Sequence, residues 1–286
     1  MDARLAAARL TGSPARRVRP LSGTVAEVAL ADGRTVAVKR ADAPGAARAE
    51  AAGLRWLGAA GAVAVPEVYG DEVYGDEAPW LVTRWVAPGR PSLGGAVALG
   101  RGLAALHASG APAYGAGPPG GPGEAYIGLA PMRNVPGVEW AGWYAEHRVL
   151  PYLRAAVDQG AMVSRDAAEV EAACDRLPAI AGPAEPPARL HGDLWNGNVL
   201  WDTDGNAWLI DPAAHGGHRE TDLAMLRLFG CPYLEEILAG YEEVAPLAQG
   251  WRGRVGAHQL FPLMVHVVLF GGAYAGQAVE AARRVG

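Results

Sequence analysis

Apolar positions fall into short runs near the N-terminus and longer ones beyond. "TVAEVAL" (24–30) and "RTVAVKR" (34–40) carry β-branched residues, and Asp32-Gly33 lies between them. That dipeptide favours a tight turn, so residues 18–40 predict a β-hairpin. "PGAARAEAAGLRWLGAAG" (44–61) is Ala-rich, opens after a Pro and closes on Gly, which predicts a helix. "VPEVYGDEVYG" and "APWLVTRWV" predict two more strands; "VYGDE" occurs there twice in tandem (68–72, 73–77), as in a duplicated hairpin tip. At "APGRP" (87–91) Pro/Gly punctuation predicts a hinge between an N-terminal lobe, 1–86, and a C-terminal lobe, 87–286. "SLGGAVALGRGLAALHAS" reads as a helix, and 110–128 as a Gly/Pro loop too long for a simple connection, hence a binding loop or flap. From about Val138 the chain reads as helical, except for a β-like island at 189–211. Strands first and helices later predict an α+β protein with unequal lobes.

Composition narrows this. Half of the 286 residues are apolar and 19% are charged, which is globular. A net charge of −5 argues against a nucleic-acid or acidic-membrane partner. Cys174 and Cys231 lie far apart without metal-like spacing and read as reduced thiols of a cytoplasmic protein. "MDARLAAARLTG" has Asp2 and no long apolar run, unlike a signal peptide. The longest apolar stretch, "FPLMVHVVLFGGAY" (261–274), is shorter than a membrane span and contains His266, so it predicts a buried helix and its exit.

One residue stands out against that background. Of the 25 Lys and Arg residues, Lys39 is the single lysine. An ammonium is a compact point charge on a thin stem, which a planar guanidinium cannot replace. The island supplies a matching site in "RLHGDLWNGNVLWDTDGNAWLIDPAAHGGHRETDLAM" (189–225). Asn198 follows Asp193 by five residues, and Asp211 follows Asn198 by thirteen. "VLWDTDGNAWLID" predicts a hairpin turning at Asp204-Gly205, which would return Asp211 to Asn198. Phosphoryl transfer from ATP needs such a set: a carboxylate to take the acceptor's proton (Asp193), an amide oxygen and a carboxylate for Mg²⁺ (Asn198, Asp211), and a lysine at the phosphates (Lys39) held by a helix glutamate (Glu50). "LSGTVAE" (21–27) offers Gly23 alone to the phosphate-covering role; Thr83, Arg84 and Val86, just before the hinge, complete the nucleotide candidates.

These residues resemble the protein-kinase-like superfamily and, within it, the fructosamine kinase (ketosamine 3-kinase) family. The resemblance rests on "LHGDLWNGN", "DPAAHGGHRETDLAMLRLFG", "EAAGLRWL", "YIGLAP" with "WAGWYAEHRVLP", and "VVLFGGAYAGQA", and covers about residues 15–284. It implies a bilobal fold and an ATP- and Mg²⁺-dependent kinase for the 3-hydroxyl of free or protein-bound ketosamines, acting in deglycation. It also implies acceptor contacts at Trp195, His266, His218 and Glu220. Met132 departs from a frequent family Gln, which bears on substrate preference. Residues 18–30 lack the Cys of some members, so a monomer without an intersubunit disulfide is expected. HGDxxxxN alone is shared with aminoglycoside and choline kinases. A nucleotide-binding pseudokinase scaffold would lack the Lys, Asp or Asn, and a hydrolase would need a positioned nucleophile motif.

Overall fold

The structure, a computed structural model, describes residues 2–72 and 79–286. The second "VYGDE" copy lies outside the described residues. Helix α1 (Ala3–Thr11) comes first, capped by Asp2 accepting from the Leu5 N–H and stopped at Gly12 in a left-handed conformation. Strands β1 (Ala15–Pro20), β2 (Val25–Leu30), β3 (Thr35–Arg40), β4 (Val68–Glu72) and β5 (Trp80–Arg84) form an antiparallel sheet in the order β1-β2-β3-β5-β4. The predicted hairpin is β2–β3, with β1 added outside it. Ala26, Val28, Val36, Val38 and Val82 point to one face and pack on α1. Lys39 and Leu81 sit opposite each other, as do Ala37 and Thr83, so these four share the other face. Helix α2 (Ala46–Ala59) covers that side through Ala47, Ala51 and Leu54 against Leu81.

Helix α3 (Leu93–Ala108) follows the Pro/Gly segment. Pro88 bridges to Asp202, and the Ser92 hydroxyl donates to the Gly205 carbonyl, so this segment is laid along the later hairpin. The stretch read as a loop, 110–128, ends in structure: β6 (Glu124–Ile127) pairs with β7 (Ala130–Arg133) across Gly128 and Leu129. Helices α4 (Trp140–Tyr144), α5 (Leu150–Asp158) and α6 (Ser164–Ile180) follow. The island contains β8 (Ala188–Leu190) and the hairpin β9 (Val199–Trp201) with β10 (Ala207–Leu209). It extends further than read, because β11 (His215–Gly217) pairs back onto β8. Helices α7 (Arg219–Leu226), α8 (Leu234–Val244), α9 (Trp251–Phe270) and α10 (Ala275–Arg283) complete the chain.

Two apolar cores hold the helical lobe. One gathers α4, α5, α6, α9 and α10 around Tyr144, Leu177 and Phe261. The other joins α3, α7 and α8 to the hairpin through Leu103, Leu194, Leu209 and Leu226. The α9–α10 run (Trp251–Arg283) is longer than the apolar stretch 261–274, and by length and composition it meets the requirement for a membrane span. Its apolar window is 56% buried inside the fold, where α9 packs on α5, α7 and α10.

Candidate active site

The β9–β10 hairpin builds the centre of the site. Its turn is fixed by Asp202, whose carboxylate accepts from the Asp204 and Asn206 N–H groups and the Trp208 indole. The return strand ends with the Ile210 N–H donating to the Asn198 carbonyl at 3.1 Å, so the next residue, Asp211, stands beside Asn198. Asp211 has φ 52°, a left-handed conformation rare for a side-chain-bearing residue. The His191 ring ties the two strands of chemistry together: its Nε2 lies 2.9 Å from the Ile210 carbonyl, and its Nδ1 accepts from the Asp193 N–H at 3.3 Å. Gly192 has φ 82°, and a Cβ there would lie 2.1 Å from the Ala213 carbonyl oxygen, so only glycine fits.

Asp222, fully buried in α7, holds this loop from below. Its carboxylate accepts the His191 and Gly192 N–H groups at 2.8 and 2.9 Å and meets His107 Nε2 at 3.2 Å. The sequence signal was a lone Asp inside the apolar run "TDLAML", which is compatible with either a surface or a buried acid.

The candidate residues meet in the cleft. The Asn198 amide donates to the Asp193 carbonyl at 2.8 Å and to its carboxylate at 2.9 Å. Lys39 Nζ lies 2.8 Å from Glu50 Oε2 and 3.0 Å from Asp211 Oδ1, joining β3, α2 and the hairpin. Burial opposes the Lys39 charge, but the two carboxylates more than offset it and hold its pKa above the ordinary lysine value. Burial also acts on Asp211, where the Lys39 charge prevails and holds the carboxyl low. Glu50 is pushed up to about 8 by burial and by the Asp211 charge, since one ammonium is shared by two carboxylates. Burial, reinforced by Asp211 and Asp222, pushes Asp193 up to about 7 despite the Asn198 hydrogen bond.

These groups border a cavity of about 350 Å³. Trp195, His266 and Phe270 give it an aromatic wall, backed by Phe229, which stands edge-on to Trp195 at 6.0 Å and meets the His266 ring at 4.8 Å. Trp195 and His266, both singled out from the sequence, line the cavity, and so does Tyr126, whose hydroxyl donates to the Pro44 carbonyl. Asp42, Leu129 and Phe270 also line it and were not singled out: nothing local in the sequence shows that the segments carrying them meet.

Other expectations fall elsewhere. His218 and Glu220 are buried within the helical lobe and do not line the cavity. Glu220 pairs with Arg254 at 2.5 and 2.9 Å, and the His218 ring packs on Trp140 and His258. They fasten α7 to α9 rather than meeting an acceptor. Met132 points into the core at 1% exposure, so it does not touch the cavity either. Arg84 alternates to the face away from Lys39, with its guanidinium 5.3 Å over the Trp208 ring. Thr83 shares the Lys39 face, Val86 is buried, and Gly23 borders a separate shallow cleft whose shared residue, Thr24, also lines the main cavity.

The donor set suits a hard divalent cation. The Asn198 amide nitrogen is committed to Asp193, which leaves its oxygen as a ligand, and the Asp211 carboxylate has a second oxygen beyond the one facing Lys39.

A five-stranded sheet with its lysine–glutamate pair, set over a helical lobe that carries HGDxxxxN and a hairpin-borne Asp, defines a phosphotransferase of the protein-kinase-like fold. An aminoglycoside phosphotransferase determined with ADP and hygromycin B shares this fold, with a TM-score of 0.72 at 16% identity over 100% of this chain and 99% of its own. The chain belongs to the fructosamine kinase family, whose profile matches residues 27–285. A protein named as a probable ketoamine kinase in Thermus thermophilus is 37% identical over 235 residues, 82% of this chain and 80% of its own. A Synechocystis protein of the same description is 34% identical over 236 residues, 82% and 76% of the two chains. A crystal structure from Thermobifida fusca, provisionally assigned as a fructosamine-3-kinase, is 48% identical with a TM-score of 0.89, covering 99% of this chain and 97% of its own.

Proposed function

We propose that this chain transfers the γ-phosphoryl group of ATP to the 3-hydroxyl of a ketosamine, an amine carrying a sugar as its keto adduct. The observation that carries the reading is the junction of the Lys39–Glu50–Asp211 and Asp193–Asn198 groups at the floor of an aromatic-walled cavity. In this reading residues 1–86 hold the nucleotide, and residues 87–286 carry the base, the metal ligands and the acceptor site. Lys39, held by Glu50, meets the nucleotide phosphates. Asp193 orients the acceptor hydroxyl and takes its proton. Asn198 and Asp211 hold Mg²⁺, which when bound offsets the phosphate charge. Trp195 lays its ring along the apolar face of the sugar.

The charge around the cavity speaks against a polycationic acceptor. Of its lining carboxylates, Glu50 and Asp211 are committed to Lys39 and Asp193 to catalysis, which leaves Asp42. An aminoglycoside carries several ammonium groups and calls for several acids by charge complementarity. ATP consumption across fructose- and ribulose-modified amines, kanamycin-like compounds and choline, with NMR mapping of the product, tests the reading. The expected result is a 3-phosphorylated ketosamine and no aminoglycoside turnover. Aminoglycoside turnover without ketosamine turnover would leave a kinase of different acceptor class.

A further inference from the structure

Two of the most exposed large apolar side chains, Leu129 at 66% and Phe270 at 62%, border this same cavity. Leu129 sits on the β6–β7 turn and Phe270 at the end of α9, so two unrelated segments present apolar groups to one opening. Leu269 lies beside them on the lining. Single exposed apolar residues are ordinary, but a pair placed together at the mouth of a cleft marks a ligand surface. The surface is continuous with the site: Phe270 packs 5.4 Å from His266, which meets Phe229, which meets Trp195 beside Asp193. A chain of ring contacts, with Trp195, His266 and Phe270 on the lining and Phe229 behind them, thus runs from the candidate base out to solvent. Asp42 stands on the same lining, 3.8 Å from Arg40.

A ketosamine has two ends. If its 3-hydroxyl is at Asp193, the amine on its first carbon points away from the phosphates and along this wall. That amine is a secondary ammonium, which aromatic faces and the Asp42 carboxylate both attract. We propose that the amine substituent of the acceptor docks on Leu129, Leu269 and Phe270, so that this kinase selects ketosamines of apolar amines over those of hydrophilic ones. The inference rests on the ketosamine reading and names the part of the substrate that reading leaves open.

The test compares kcat/KM for two fructose adducts, one of hexylamine and one of ethanolamine, in the wild type, Leu129→Ser and Phe270→Ser. The hexylamine adduct is expected to lead by about tenfold, the scale of burying one or two methylenes. Each substitution is expected to cut that ratio about threefold, through KM rather than kcat. Leu129 is an exposed turn residue, so its variant reports even if Phe270→Ser disturbs the end of α9. Equal kcat/KM for the two adducts in the wild type, or a ratio unmoved in both variants, overturns the inference and leaves the ketosamine reading intact. Turnover of neither adduct overturns both.

Discussion

The surroundings of Asp193 oppose its ionisation. Burial and two neighbouring carboxylates raise its pKa, and the Asn198 amide is the counterweight within hydrogen-bond reach. Asp193→Asn keeps the shape and the Asn198 contact but removes the proton acceptor. Turnover should fall by about 10²–10⁴-fold while nucleotide affinity, read by calorimetry, stays near the wild-type value. Near-normal turnover in that variant would remove Asp193 from its role. Lys39→Arg keeps the charge and still should lose activity, by about 100-fold. A planar fork does not fit between Glu50 and Asp211, whose oxygens lie 2.8 and 3.0 Å from one ammonium. Full activity there would make the single lysine an accident of composition. Gly197 gives a subtler handle on the acceptor. A Cβ at 197 would lie 2.2 Å from the Trp195 ring, so Gly197→Ala should swing that ring off the cavity wall. The expected signature is a raised KM for the sugar with an unchanged KM for ATP, as for Trp195→Ala; an ATP effect of equal size would assign Trp195 to the loop's structure instead.

The elements that could be read from the sequence are those whose signals are local. Asp32-Gly33 and Asp204-Gly205 sit at the turns of β2–β3 and β9–β10, and the second hairpin alone was enough to bring Asp211 back to Asn198. Lys39 and Glu50 followed from a strand and the helix after it. What escaped depends on tertiary pairing. β6 and β11 are short and rich in Gly or flanked by it, and they become strands only by pairing with β7 and β8. Helix α1 carried usable caps in Asp2 and Gly12 but only nine residues, and its stability comes from packing Ala6 and Ala7 under the sheet. His218 and Glu220 were misplaced because polar residues in a motif can face a substrate or a buried cation, and Arg254, 34 residues beyond Glu220, decides for the cation. Asp222 escaped for the same reason. Its removal is testable at the level of this element: Asp222→Ala leaves the His191 and Gly192 N–H groups without an acceptor and should cost about 3 kcal/mol or more in urea unfolding. A loss under about 1 kcal/mol would mean that the catalytic loop stands without its buried anchor.

On the scale of the whole molecule, two sets of buried groups answer pH in opposite senses. Asp193 and Glu50 have folded pKa values of about 7 and 8, above their ordinary range, so their stabilising share is lost as pH rises toward those values. The buried histidines do the reverse. His218 is held down to about 3 by burial and then by the positive surroundings of His258, Arg254 and Arg219, with Glu220 and Glu185 only partly compensating. The unfolded chain takes up that proton near the ordinary value of 6.5, whereas the folded chain refuses it until about 3. Stability from this group is therefore complete above 6.5 and is lost as pH falls toward 3. The wild-type curve sums both trends, so a single pH profile cannot isolate either. His218→Asn can, because His218 caps α7 by accepting the Glu220 N–H, and Asn is an equally good cap without a titrating group. Between pH 7.5 and pH 5 the wild type should lose about 1–2 kcal/mol more than the variant, measured by urea unfolding at both pH values. Parallel changes in the two proteins would show that His218 is protonated in the folded state, and that the α7–α9 junction tolerates a further positive charge beside Arg254.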